Sequence, residues 1–356
     1  MRQDMDGRIR TALRAGAARV RGLQRRTLTA AVAALVAIAA ATGSAFAQTV
    51  SPAEGTGVVV IKTTLAYQQA SAAGTGMVLT SSGEILTNNH VIRGATAIKI
   101  VVPATGRTYA AKVVGYSLAD DVAVLQTVGA SNLATVATAR SSKVSVGDAV
   151  TAVGNAGGTG TLSSATGSVS GQHQSIVVGD DQGGTARLTS MIGVNADVVP
   201  GDSGGPLLNS AGGVIGMDTA GSTGYADRSS SQAYAIPIAK ALSIAKQIEA
   251  GRSSSRVHVG ATPFLGVQLA GDIRRGGFSP VGAVVSGVVS GSPAALAGLS
   301  PGDVITAING RAISVSSVIS SVILTKKAGA KVTIIHIDRL GKRHSTTVRL
   351  ASGPAQ

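Results

Sequence analysis

The sequence predicts a mainly β protein: a long series of short strands that closes or stacks on itself, followed by a smaller domain of strands with a helix. Three observations carry this. Runs rich in Val, Ile and Thr recur every 8–20 residues with little helical periodicity. Gly accounts for 47 of 356 residues, about twice the usual share, which suits tight turns between strands. Hydrophobic residues make up 44% and aromatics only 2%, with no Trp, so the core must be built from Val, Ile, Leu and Ala. The 13% charged fraction excludes a charge-rich disordered chain.

Residues 1–47 read as an export segment. Arg-rich residues 2–26 precede the uncharged run Leu28–Ala41, and Ala45-Phe46-Ala47 supplies small residues at the first and third positions of a cleavage site. Cleavage before Gln48 is the expectation, with delivery to the cell envelope, the periplasm or the medium. Retention as an N-terminal membrane anchor is the alternative, since extending the apolar run to Ala47 reaches the ~20 residues a span needs. Arg25-Arg26 permits twin-arginine export, but Thr27-Leu28-Thr29 is a poor remainder of that motif.

The mature chain then divides. Val58–Thr63, Gly76–Thr80, Ile85–Thr87, Ile98–Val102, Ala110–Val114 and Val122–Gln126 form one set of strands. Ala149–Val153, Gly167–Ser170, Leu188–Met191, Pro206–Leu208, Gly213–Met217 and Ala233–Pro237 form a second. Ile238, Leu242, Ala245 and Ile248 share one helical face, which predicts an amphipathic helix over Ile238–Glu249. Gly251-Arg252-Ser253-Ser254-Ser255 reads as a flexible linker. A second domain follows from Pro263, with a helix around Pro293–Ala297 and a strand over Val332–Ile337.

The net charge of +14 suggests nucleic acid, but its distribution argues otherwise. Residues 48–251 carry 11 Lys/Arg against 12 Asp/Glu, and the basic excess lies in residues 1–47 and 252–356. No aromatics are interleaved there to stack bases, so no nucleic-acid partner is expected. With no Cys, the chain has no disulfide, Cys-zinc site or thiol nucleophile. Gly154-Asn155-Ala156-Gly157-Gly158-Thr159-Gly160 lacks the Lys-Ser/Thr ending of a phosphate loop and reads as a turn.

The strongest chemical signal is Gly201-Asp202-Ser203-Gly204-Gly205-Pro206. A nucleophilic Ser needs N–H groups aimed at the developing oxyanion, and the amides of Ser203 and Gly201 supply two. The bland alternative is an ordinary Gly-rich turn. A Ser hydroxyl is a weak nucleophile, so a base and an orienting acid are required. Of five His, His173 lies in a polar loop, His258 in the linker region, and His336 and His344 in the second domain. His90 ends Thr87-Asn88-Asn89-His90 where a strand enters a turn. Asp121 immediately precedes the apolar strand Val122-Ala123-Val124-Leu125; its neighbour Asp120 reads as the solvated one. The order His90, Asp121, Ser203 is that of chymotrypsin-type enzymes.

On these motifs the chain resembles the HtrA/Deg family of serine proteases, in particular secreted or envelope-associated actinobacterial members. Thr87–Ile92, Asp121–Leu125 and Gly201–Pro206 match the three catalytic motifs in order. Phe264-Leu265-Gly266-Val267 resembles the carboxylate-binding loop of a PDZ domain, and Gly291–Ala295 and Gly298–Ile305 its helix and following turn. The resemblance implies a chymotrypsin-like double β-barrel over 48–250, a linker over 251–262 and a PDZ domain over 263–352. It implies an acyl-enzyme endopeptidase acting on unfolded or damaged proteins, without metal or cofactor, with C-terminal or extended peptides bound at the PDZ domain. The alternative is a proteolytically weak, chaperone-like peptide binder. A trimer is also implied, although residues 48–57 lack the aromatics that carry trimer contacts in many members. Two further departures stand out. Asp202 occupies a position where the family usually has Asn, and no activation sequence near Gln48 offers it a partner. Asp197, six residues before Ser203, falls where trypsin has its pocket carboxylate. The substrate pocket is expected to take small aliphatic residues with Val198 on its wall; Asp197 at its floor would instead select Arg or Lys.

Overall fold

The computed structural model describes residues 48–139, 143–179, 185–219, 232–270 and 282–356. The export segment lies outside the described residues. After a short β1 (Gln48–Thr49), the first strand set forms β2 (Val58–Leu65), β3 (Ala70–Val78), β4 (Glu84–Thr87), β5 (Ala97–Val102), β6 (Arg107–Ser117) and β7 (Val122–Thr127). These pair antiparallel in the order β6-β5-β2-β3-β4-β7, and β6 pairs β7 to close a barrel. The second set, β8 (Ala149–Gly154), β9 (Ser163–Gly179), β10 (Thr185–Val194), β11 (Pro206–Asn209), β12 (Val214–Thr219) and β13 (Ala233–Pro237), closes likewise through β8 and β9. Closure leaves no long unpaired edge. Val59, Ile61, Ile85, Ile100 and Leu125 fill the first barrel; Val150, Val194, Leu207 and Ala235 fill the second.

The twelve expected strands all occur. The largest difference is the β9–β10 hairpin, which runs far beyond Gly167–Ser170 and Leu188–Met191. Its Gly, Ser and Gln content carries no apolar alternation, so cross-strand pairing rather than side-chain pattern extends it. His173 therefore lies in β9 rather than in a loop, at an exposed kink with φ 52°.

A one-turn helix α1 (Asn89–Ile92) follows β4, and the helix after β13, α2, spans Ile238–Glu249 as its periodicity predicts. Ile238, Ala241, Ala245 and Ile248 are buried against Val122, Val124, Val257 and Met217, joining material from both barrels in one core. Each buried Ile contributes about 2 kcal/mol.

The segment after α2 is tethered. β14 (Val257–Val259) adds to β6 as an antiparallel neighbour. Arg256 donates to Asp120 from Nη2 at 2.8 Å and Nε at 3.2 Å, and Lys240 of α2 approaches the same carboxylate at 3.1 Å. Asp120 is thus buried and twice paired, not solvated as its sequence position suggested. Burial alone pushes its carboxyl up; the bonds from Arg256, Ser117 and Lys240 outweigh that and hold it below the usual carboxylate range.

Beyond the tether, β15 (Thr262–Phe264) pairs β22 (Ala351–Gly353). A separate sheet runs β16 (Val267–Leu269), β17 (Ala283–Val288), β18 (Val304–Ile308), β20 (Lys331–Ile337), β21 (Arg343–Arg349), with β19 (Arg311–Ala312) beside β18. Helices α3 (Pro293–Leu296) and α4 (Ser316–Leu324) complete the domain. Its own core gathers Leu265, Val285, Ile305, Ile319, Val322 and Ile334. Phe264 stacks on Tyr67 with ring centroids 5.5 Å apart. Ala355 enters the core of the first barrel, and its carbonyl accepts from the Gly94 amide at 2.8 Å.

Replacing Asp120 with Ala strips both cations of their acceptor and lowers stability by about 2–3 kcal/mol near neutral pH, read by urea titration. Because the folded-state value is depressed, this contribution exists above the unfolded value near 4 and is lost as pH falls through the folded one. The deficit of the variant therefore shrinks in acid.

Candidate active site

His90 and Asp121 come from neighbouring strand ends of the first barrel. β4 and β7 pair with Thr87 opposite Ala123, which puts the turns at 88–90 and 118–121 side by side. Asp121 adopts φ 53°, a left-handed conformation that costs a non-Gly residue about 1 kcal/mol. Three bonds hold it there. Its carbonyl accepts from Asn88 Nδ2 at 2.9 Å, its Oδ1 from the His90 amide at 2.9 Å, and its Oδ2 from His90 Nδ1–H at 2.8 Å. The Nδ1 bond fixes the imidazole tautomer and leaves Nε2 as the acceptor nitrogen. Thr219 Oγ1 at the end of β12 donates to the same Oδ2 at 3.3 Å. The Asp121 carboxylate is buried, and the His90 side chain is 48% exposed.

Ser203 stands on the turn before β11 in the second barrel and is 4% exposed. Thr75 of β3 reaches across from the first barrel to fasten that turn. Its amide donates to the Ser203 carbonyl at 2.9 Å, and its Oγ1 donates to the Gly201 carbonyl at 2.7 Å while accepting from the Asn155 amide at 2.9 Å. The Thr75 carbonyl in turn accepts from Thr87 Oγ1 at 2.7 Å, one strand from His90. Gly201 has φ +105°, and a Cβ there would sit 2.2 Å from the Asn155 carbonyl oxygen, so only Gly fits. The Pro200 carbonyl accepts from the Gly157 amide at 2.8 Å. In a trans peptide the N–H lies opposite the carbonyl, so the Gly201 N–H points away from Gly157 and donates to no acceptor among the described residues. The Gly154–Gly160 turn is thereby a brace for the Gly201–Ser203 turn.

The pocket residues separate. Asp197 is exposed, whereas Val198 is half-buried against the core of Val169, Ile192 and Val194. Asp202 Oδ2 accepts from the Val199 amide at 3.0 Å, and its Oδ1 is buried without a partner. Burial, and secondarily the charge of Asp197, raises the Asp202 carboxyl to about 6. In the second domain, Leu265 is buried while Phe264 and Val267 are half-buried, and the Leu265 and Gly266 amides donate to nothing among the described residues. They immediately precede β16, an edge strand of its sheet among the described residues. The other histidines lie apart from this cluster: His258 Nε2 bonds the Ala261 carbonyl at 3.3 Å, and His344 Nε2 bonds Asp338 at 2.8 Å with His336 stacked on it. Sequence reasoning missed Thr75, Asn88 and Thr219. Nothing in an Ala-Gly-Thr-Gly strand marks Thr75 as a bridge between barrels.

A trypsin-like peptidase domain model matches residues 74–217, and a PDZ domain model matches residues 263–350. The chain is 36% identical over 287 residues to a probable periplasmic serine protease do/HhoA-like of Haemophilus influenzae, covering 78% of this chain and 58% of that protein. It is 32% identical over 315 residues to serine protease PepD of Mycobacterium tuberculosis (84% and 64%) and 32% identical over 271 residues to the putative serine protease HhoB of Synechocystis (73% and 62%). The chain thus spans less than two thirds of the length of these relatives. Among solved structures, an HtrA-type protease AlgW with tripeptide aligns at TM-score 0.47 and 28% identity, covering 86% of this chain and 99% of that one.

Replacing Thr75 with Val leaves the Gly201 carbonyl and the Asn155 amide without partners, and lowers stability by about 2 kcal/mol. Thr75→Ser, which keeps the hydroxyl, stays within about 0.5–1 kcal/mol of the parent. Denaturant titration of both variants checks this.

Proposed function

We propose that this chain, which belongs to the HtrA-type trypsin-like serine proteases, is an exported serine endopeptidase with a peptide-binding PDZ domain. The observation that carries the reading is the double grip of Asp121 on His90, set beside a Ser203 turn whose Gly201 amide has no acceptor among the described residues. In this mechanism His90 Nε2 takes the proton of Ser203 Oγ as that oxygen attacks the scissile carbonyl carbon. Asp121 stabilises the resulting imidazolium. The amides of Gly201 and Ser203 hold the tetrahedral oxyanion. His90 then passes the proton to the leaving amine, and water repeats the sequence on the acyl-enzyme.

The substrates proposed are unfolded or damaged proteins, because cleavage needs an extended backbone at the turn. A half-buried Val198 and an outward Asp197 favour a pocket for small aliphatic side chains over one for Arg or Lys. At the PDZ domain, an extended peptide would add to the free edge of β16 with its carboxylate on the Leu265 and Gly266 amides. Export to the envelope is supported by the Arg-rich and apolar segment of residues 2–47 and by the periplasmic naming of a relative.

Fluorophosphonate labelling tests the reading, since stable modification requires an activated Ser. The expected outcome is stoichiometric labelling at Ser203, lost in Ser203→Ala and reduced at least a hundredfold in His90→Ala. An unlabelled parent chain would leave only the chaperone-like alternative. Separately, a C-terminally amidated peptide should bind the PDZ domain about tenfold or more weakly than its free acid. Cleavage profiling on a peptide library should favour small aliphatic residues before the scissile bond; a dominant Arg or Lys preference lost in Asp197→Ala would reverse the pocket assignment.

A further inference from the structure

Directly behind the nucleophile turn the second barrel buries a second acidic residue that the mechanism above does not use. Asp218 lies in β12 with no exposure. Its backbone clasps the turn on both sides: the Gly204 amide donates to the Asp218 carbonyl and the Asp218 amide to the Gly205 carbonyl, each at 2.8 Å. Neither carboxyl oxygen of Asp218 has a hydrogen-bond partner, and Asp202 Oδ1 is in the same state. Space for the Asp202 carboxyl is provided by Gly154, where a Cβ would come within 2.5 Å of Oδ1.

Among the described residues no cation is paired with these carboxyls: α2, which packs on β12, carries Lys240, held by Asp120, and the exposed Lys246. Strands β3, β8, β11 and β13 and the turn over 155–161 contain no charged residue. The loop before Ser203 contributes only Asp197, another carboxylate that opposes ionisation of Asp202. Asp202 in turn opposes ionisation of Asp218, whose carboxyl is pushed well above the usual range mainly by burial. Among the described residues none of these three buried oxygens receives a hydrogen bond, and the buried Asn155 Nδ2 amide beside Gly154 makes none to them. Two ionised carboxylates there would be unpaired and mutually repelling, which is strongly unfavourable. The donor that the cluster lacks is a proton carried by the pair itself.

We propose that Asp202 and Asp218 form a buried acid pair that positions the Gly201–Ser203 turn, holding it while at least one of them is protonated and loosening it once both ionise. They are positioning residues; neither touches the reacting atoms. The proposal rests on the peptidase reading for its effect on activity, but the pair itself is independent of that reading. The sign follows from linkage. A carboxyl raised in the folded state keeps its proton after the unfolded chain has lost its own, so stability is greatest in acid and falls as pH rises through the folded value. For Asp202 that decline runs from about 4 to about 6, and for Asp218 it starts at the same point and runs through that carboxyl's own raised value.

The test uses the full chain carrying Asp218→Asn, Asp202→Asn or both, the second restoring the residue usual in the resembled family. Asn supplies N–H donors that do not titrate. Melting temperature is followed from about pH 4 to pH 9, and fluorophosphonate labelling rate over the same range. Glu84→Gln serves as control, because burial and the adjacent Glu249 raise Glu84 to about 7, away from the nucleophile turn. The acid pair predicts that the Asn variants flatten the fall of melting temperature with pH. It also predicts that they reduce the ratio of labelling rate at about pH 6 to that at about pH 8 by about threefold or more, leaving the acid limb set by His90 in place. Glu84→Gln should change the melting curve without moving the labelling profile. A pH slope of melting temperature unchanged in both single Asn variants overturns the pair. Equal rate losses at every pH overturn its positioning role. Absence of labelling in the unmodified chain would overturn the peptidase reading, and the melting arm would still decide the pair.

Discussion

The arrangement depends on one carboxylate receiving two bonds from one residue. Asp121 accepts from both the amide and the ring nitrogen of His90, which fixes the imidazole in position, orientation and tautomer together. An exposed imidazole would otherwise rotate freely about its side-chain torsions. Asp121 can grip it only from a left-handed backbone conformation, and the structure over-determines that conformation. Asn88 takes the Asp121 carbonyl, Thr219 reaches the carboxylate from the other barrel, and the neighbouring Asp120 is locked by Arg256 and Lys240. The strain of one residue is offset by four bonds from three residues, Asn88, His90 and Thr219.

The same logic joins the two barrels. Holding His90 on one barrel beside the Ser203 turn on the other requires contacts that cross between them. Thr75 provides them with its amide and hydroxyl, and Thr219 returns the connection to Asp121. The α2 helix seals the seam with apolar contacts, and the chain beyond it is held to the first barrel by β14, by Arg256 and by the stacking of Phe264 on Tyr67. Because Phe264 opens the segment proposed to bind peptide carboxylates, that segment is packed against the protease rather than suspended from it.

Much of this was legible in the residues. Short runs rich in Val, Ile and Thr between Gly-rich turns marked the barrel strands, and the spacing of Ile238, Ala245 and Ile248 marked α2. His90, Asp121 and Ser203 announced themselves by motif. Other features had no local signal. The α4 segment Ser316–Leu324 is rich in Val and Ile, whose propensity favours a strand, yet it folds as a helix because Ile319, Val322 and Ile323 bury one face in the second core. The ion pair of Asp120 with Arg256 spans 136 residues of sequence, beyond any pattern reading. The Asp202 and Asp218 pair was half visible, since Asp202 stood out as lacking a partner while Asp218 looked like an ordinary strand residue.

Proton NMR of the His90 imidazole, in full-length chain with labelled histidine and Ser203→Ala, tests the central claim most directly. The account predicts a strongly downfield Nδ1–H resonance that is protected from exchange, persists in Asp120→Asn and disappears in Asp121→Asn. A resonance that survives in Asp121→Asn, or none in the parent chain, would contradict the grip of Asp121 on His90 and the mechanism built on it.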